Sequence, residues 1–214
     1  MSDPLTPTDR TKVRRLPDRG THDRAVIDEV IDEAYVAHVG FVVDGQPRVL
    51  PMTYGRDGDV LYLHGAVGNA MLRASIDAEV CVTITLLDGL VLARSAFHHS
   101  MNYRAVVLLG VATKVTDEAA KRHAFEVIVE HVIPGRTQVA RASNDSELRT
   151  TLVLALPIAE GSAKVRTGGP IDDEEDMDLP VWAGVVPLRL TPGEPIQDPQ
   201  QTQVLPAPEA RSPI

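Results

Sequence analysis

Hydrophobic and polar positions in this chain repeat with two different periods. Between residues 22 and 36, Val26, Ile27, Val30, Ile31 and Ala34 recur at helical spacing, with Asp28, Glu29, Asp32 and Glu33 opposite. This predicts an amphipathic helix with Thr21 or Asp23 as N-cap. The period then shortens to two. Strands are predicted over 39–43, 47–54 and 60–63, punctuated by Asp44-Gly45, Asp57-Gly58 and His64-Gly65. Asp-Gly between apolar runs signals a hairpin. A short helix over 69–76 carries Met71, Leu72 and Ala74, and strands over 80–87 and 90–96 flank a further Asp-Gly hairpin at 88–89. A long aliphatic strand covers 103–115. Thr116 then caps a helix that places Ala120, Ala124, Val127, Ile128 and His131 on one face. A polar loop over 134–146, a short helical turn, and strand regions over 151–165 and 181–190 complete the pattern.

About seven antiparallel strands joined mostly by short turns make a mainly β (α+β) protein. Closing such a meander removes exposed edges, so the expected architecture is a small antiparallel β-barrel with flanking helices. Aromatic residues are only 4% of the chain, which leaves the core to aliphatic side chains. Residues 1–19 and 191–214 are rich in Pro, Gln, Asp and Thr and poor in large apolar residues. They read as loosely ordered arms around one domain at 20–190, and such an arm is able to wrap a partner subunit.

The formal net charge is −9, with no basic stripe and an acidic run at 172–176. That excludes a nucleic-acid binder, which needs clustered Lys and Arg to neutralise phosphates. The single cysteine, Cys81, excludes an intrachain disulfide and sits in a strand as a small hydrophobe. No apolar stretch reaches the ~18 residues of a membrane span, and the N-terminus lacks an apolar signal-peptide core. A soluble, cytoplasmic protein is expected.

Three clusters carry candidate chemistry. Proline interrupts the strand at Leu50-Pro51-Met52-Thr53-Tyr54, which implies an edge or a bulge. At 62–75 a strand ends at His64-Gly65, and Gly68, Asn69 and the start of a helix follow, with Arg73 one turn in. Loop amides and a helix N-terminus favour an anion there. The third cluster is the elbow ARSAFHHSMNYR at 93–104, with adjacent His98 and His99 between two apolar strands. Adjacent residues of an extended segment point to opposite faces, so one metal is not shared between them, and no zinc spacing is present. No G-x-S-x-G elbow supports a serine hydrolase either.

The segments PMTYGRDGDVLYLHG, VCVTITLLDGLVLARSAFHHSMNYRAVVLLGVA, TLVLALPIAEGSAKVR and PVWAGVVPL together resemble the pyridoxamine 5′-phosphate oxidase-like, FMN-binding split-barrel proteins. The resemblance is to the branch holding nitroimidazole-resistance-type and flavin-nucleotide-binding proteins, and covers roughly residues 13–192. It implies a split-barrel homodimer with two FMN sites, each built from both subunits. The flavin ring would lie along Val49, Pro51, Met52, Thr53 and Tyr54, and its phosphate at His64, Gly65, Ala66, Gly68, Asn69 and Arg73. Arg94, Ser95, Tyr103 and Arg104 would line the cleft, and Trp182 would border it. The implied activity is flavin-dependent oxidation or reduction of a small, nitroaromatic or quinone-like substrate, with His64, His98 and Tyr103 as candidate proton donors. This chain departs from its relatives at Ala66, Val67 and Asn69, where they carry hydroxyl or basic residues. Its acidic GGPIDDEEDMDLP segment also argues against a pyridoxine-phosphate substrate. Deazaflavin, haem held by His64, His98 or His99, and a cofactor-free scaffold are the alternatives.

Overall fold

The computed structural model describes residues 3–203 and 205–210. The first long element is α1 (Arg24–Glu33), capped by Asp23, whose side chain accepts from the Ala25 amide. Its apolar stripe, Ile27, Val30 and Ile31, is fully buried. Arg24 is also buried. Its guanidinium is held by Asp28 and Asp59, each at 2.7 Å, and by the Gly58 carbonyl at 3.0 Å, so the helix is pinned to a strand turn by charge as well as by apolar burial.

Ten strands form the sheet: β1 (Gly20–Thr21), β2 (Ala37–Val43), β3 (Gln46–Met52), β4 (Tyr54–Asp57), β5 (Val60–Ala66), β6 (Ala78–Leu92), β7 (Ser100–Lys114), β8 (Thr151–Pro157), β9 (Glu160–Arg166) and β10 (Gly184–Pro187). The main path runs β3-β2-β6-β7-β8-β5-β4, all antiparallel, with β10 beside β6 and β9 joining β7 to β1. Alternation puts Val39 and Phe41 of β2, Val80, Val82 and Ile84 of β6, Val106 and Leu108 of β7, and Leu61 and Leu63 of β5 into one aliphatic core. The other helices are α2 (Ala70–Ala74), α3 (Glu118–Val132) and α4 (Asp145–Thr150). This is the mainly β architecture that the sequence pattern predicts, in the split-barrel form that the family resemblance implies.

Local expectations meet the structure unevenly. Asp44 and Gly45 both have positive φ (50° and 73°) and make the two-residue hairpin expected of them. Asp88-Gly89 does not form the predicted hairpin. Neither residue has positive φ, and Asp88 is instead the extra residue of a bulge inside one continuous 15-residue strand, β6. Pairing on both sides, to β7 and β10, keeps that strand running through the dipeptide. The predicted strand over 47–54 breaks at Thr53: Met52 pairs with Ala37 of β2, whereas Tyr54 pairs with Leu63 of β5. The region 151–165 splits into β8 and β9, both of which pair with β7. The cap of α3 is Asp117, which accepts from the Ala120 amide at 2.8 Å, in place of Thr116.

Residues 5–16, expected as part of a loose arm, lie against the barrel. Leu5 is buried, Thr8 bonds Glu160 at 2.5 Å, and Arg10 pairs with Glu79 and Glu160. Residues 191–203 are exposed throughout.

Candidate functional site

β3 is an edge strand, and Pro51, which has no N–H to donate, sits in it opposite His38. Leu50 and Met52 lean on the core while Val49 and Pro51 face outward, Val49 at 63% exposure. Thr53 is half-buried at the break between β3 and β4. Tyr54 points the other way. It is fully buried, stacks on His131 with ring centroids 4.5 Å apart, and donates to the carbonyls of Ile31 and Ala34. The Tyr54 side chain is therefore a core anchor facing away from the surface that Val49 and Pro51 present.

The loop after β5 holds fewer free donors than its sequence suggests. The Val67 amide bonds the Thr150 carbonyl and the Asn69 amide the Ala66 carbonyl. Asn69 caps α2, its Oδ1 accepting from Met71 and Leu72 at 3.0 Å each, so these two helical amides are already satisfied. A Cβ at Gly68 would meet nothing, and one at Gly65 would press on Leu72. Arg73 is exposed and forms no ion pair among the described residues. Gly68 and Arg73 are the parts of this loop that remain open to an anion.

His64 lies on the outward face of β5, opposite in phase to Leu61 and Leu63. Its ring meets Phe125 of α3 edge-on at 6.3 Å. Nδ1 is buried without a hydrogen-bond partner, and burial lowers the imidazole pKa, which keeps the ring neutral. Two residues along the same face, Tyr62 meets His123 edge-on, and His123 Nε2 lies 2.7 Å from Asp57.

The elbow is bolted down by the acidic segment. Arg94 donates from its amide and its guanidinium to Asp172, both at 2.8 Å, and the Asp172 side chain is only 1% exposed. Burial opposes ionisation of Asp172, but these bonds outweigh it and hold the carboxyl below its usual range. His98 Nε2 is 3.0 Å from Asp173, and His99 donates from Nδ1 to the Ser95 carbonyl at 2.9 Å. Ser95 precedes a single 3-10 turn, Ala96–His98, on which Phe97 is 88% exposed. Behind the elbow, buried Arg166 clamps Asn102 together with the carbonyls of Gly168 and Gly169. Tyr103 pairs with Arg166 across the sheet. Arg104 is committed to Glu33 and Asp88, with Glu29 nearby, so its charge is already matched. Trp182 is 64% exposed beside β10.

One chain therefore holds His64 and the elbow apart. His64 and the loop to Arg73 lie toward one end of β6 and β7 and the elbow toward the other, while β3 lies beside the middle, Pro51 reaching Val107 through His38 and Thr83. Ser100 begins β7 beside Val91, while Lys114 ends it beside Leu154 of β8, two strands from His64. Ten residue steps of β7, from Arg104 to Lys114, separate the elbow from the His64 end, roughly 35 Å along the strand. What sequence reasoning missed are the partners that fix the elbow, Asp172 and Asp173. An acidic run reads as a solvated surface until the fold buries one of its carboxylates against Arg94.

The fold and these surfaces define an antiparallel split-barrel protein. The chain belongs to the pyridoxamine 5′-phosphate oxidase family, whose sequence model matches residues 23–165. It is similar to the flavocytochrome Anf3 of Azotobacter vinelandii, at 41% identity over 96% of each chain and a TM-score of 0.90. It is also similar to an FAD- and haem-binding protein of Mycobacterium smegmatis, at 39% identity over 89% of this chain and 94% of the other, with a TM-score of 0.85. A 5-nitroimidazole antibiotic resistance protein of Bacteroides thetaiotaomicron is more distant, at 28% identity over 68% and 86% of the two chains and a TM-score of 0.57. None of the curated proteins matches the chain. Among the described residues no helix is long and apolar enough to cross a membrane.

Proposed function

We propose that this protein is a cytoplasmic flavin- and haem-binding redox protein. In this reading it works as a homodimer with two flavin clefts and passes electrons to a small quinone-like or nitroaromatic acceptor. The observation that carries the haem is His64. A histidine that held haem would be a neutral imidazole with an unshared pair, set among water-excluding side chains. His64 has an unpartnered buried nitrogen, a pKa pushed down by burial, and Phe125 against its ring. His98 and His99 fit less well, because each spends a ring nitrogen on Asp173 or Ser95 and they lie on an exposed elbow. The description of one relative as a flavocytochrome and of another as binding FAD and haem points the same way.

The flavin half rests on family membership and on the outward face of β3. Val49, Pro51 and Thr53 would carry the ring, and Gly68 and Arg73 the phosphate. When bound, the flavin supplies two- and one-electron chemistry and the haem one-electron chemistry, while this chain's side chains bind, orient and exclude water. FMN is the form the resemblance implies, and the M. smegmatis relative speaks for FAD. The separation of the elbow from His64 within one chain supports clefts shared between two copies.

Absorbance of the purified protein, with reconstitution by FMN, FAD and haem, tests the reading. Flavin bands and a Soret band are expected, His64→Ala abolishing the Soret band while the flavin stays. Mass measurement of the extracted flavin distinguishes FMN, FAD and deazaflavin. A colourless protein that takes up none of these would be a cofactor-free scaffold and would overturn the proposal.

A further inference from the structure

We propose that the C-terminal arm, from Arg189 onward, is an exchange arm that lies along a second copy of this chain. This rests on the homodimer proposed above. The barrel's last hold on the chain is the Leu188 amide, bonded to the Asp88 carbonyl at the β6 bulge. Leu188, Arg189 and Leu190 then form one rim of a cavity of about 350 Å³ shared with Glu33, His38 and Arg104. From there residues 191–203 are exposed one after another, and their hydrogen bonds among the described residues are all local.

Those local bonds show shape without support. Asp198 turns the chain, its carbonyl accepting from the Gln201 amide and its carboxylate from the Gln200 amide, and the Gln197 side chain donates to the carbonyls of Gln201 and Gln203. Leu190, Ile196 and Leu205 are presented outward at 67%, 96% and 58% exposure. A proline-rich segment holding one defined turn and three bare aliphatic side chains does not stabilise itself in water.

The arm is also a shared feature. The flavocytochrome alignment covers 96% of this chain, so it takes in most of an arm that makes up a tenth of the sequence. An arm of matched extent in both chains, with no hydrogen bond to its own barrel over 191–203 among the described residues, is explained by a support outside it. In a two-fold dimer, reciprocal exchange of one arm buries apolar residues on both copies at once, which is a low-cost interface. An extended proline-rich segment of ~20 residues reaches roughly 60 Å, enough to cross a neighbouring barrel.

The test compares sedimentation of the full chain, a chain ending at Leu190, and full-length Ile196→Asp. Circular dichroism confirms that both variants fold. The full chain is expected to dimerise, with the dimer dissociation constant raised at least tenfold by the truncation and measurably by Ile196→Asp. Proteolysis within 191–203 should also accelerate as the full chain is diluted through its dissociation constant. A full chain that dimerises no more tightly than its truncated form overturns the exchange arm and leaves the homodimer standing. A full chain that stays monomeric overturns both.

Discussion

At the scale of single residues, polar groups buried without an ordinary partner carry most of the information. His64 is the first, and its titration follows from its surroundings. Burial depresses its pKa, so the folded chain keeps the ring neutral at a pH where the unfolded chain, with an ordinary value of about 6.5, takes up a proton. A depressed group contributes stability that is present above the unfolded pKa and lost as pH falls through the folded one. Melting temperature without cofactor should therefore fall between about pH 7 and pH 5, and fall less in His64→Phe. Parallel curves for the two proteins would sink this account. Arg166 is the second. It is 5% exposed, has no carboxylate partner among the described residues, and is ringed by Asn102, Gly168 and Gly169 oxygens. Arg166→Met removes three donations, one of them to the buried Asn102 side chain, and should cost about 2–3 kcal/mol in urea unfolding. A loss below about 0.5 kcal/mol would show that solvent replaces those bonds.

Secondary elements show which physical signals survive the reading of a sequence and which do not. Helix α1 and the Asp44-Gly45 hairpin were legible because local chemistry decides them: an apolar stripe in one case, two residues tolerating positive φ in the other. Asp88-Gly89 has the same letters, yet strands on both sides hold it extended, and no local pattern reveals those neighbours. Gly55 falls between the strands predicted over 47–54 and 60–63, and the reason for a glycine there is tertiary. A Cβ there would come within 2.8 Å of the Ile128 backbone of α3. Gly55→Ala should therefore lift α3 off β4, costing about 3 kcal/mol and roughly 10 °C in melting temperature. Gly68→Ala, in open space, should change stability by less than about 0.5 kcal/mol. For the cap of α3, Asp117→Ala should cost about 1 kcal/mol and Thr116→Ala almost nothing, the reverse of what the sequence pattern implied. The candidate site was legible as a set of residues. Its division between two ends of β7 was not, because distance along a strand appears only once the pairings are known.

For the whole molecule, that division makes the flavin cleft a question about two copies, and the lone tryptophan answers it. Trp182 lies over Gly184 next to β10, which pairs with the elbow-side end of β6, so within one chain it belongs to the elbow group and lies away from His64 and Arg73. If the cleft joins the β3 face of one copy to the elbow of the other, flavin bound at the first should quench emission from the Trp182 of the second. Titrating the cofactor-free protein with flavin should then dim tryptophan fluorescence in step with flavin binding. Quenching should persist in Phe97→Ala, since Phe97 contributes exposed surface but no ion pair to the elbow. Mixing a Trp182→Phe chain with an Arg73→Glu chain sharpens the test. Phosphate binding would survive only on the first chain and emission only on the second, so quenching would require the mixed dimer. Binding without quenching in the unmixed protein would place the flavin away from the elbow and return the site to a single chain.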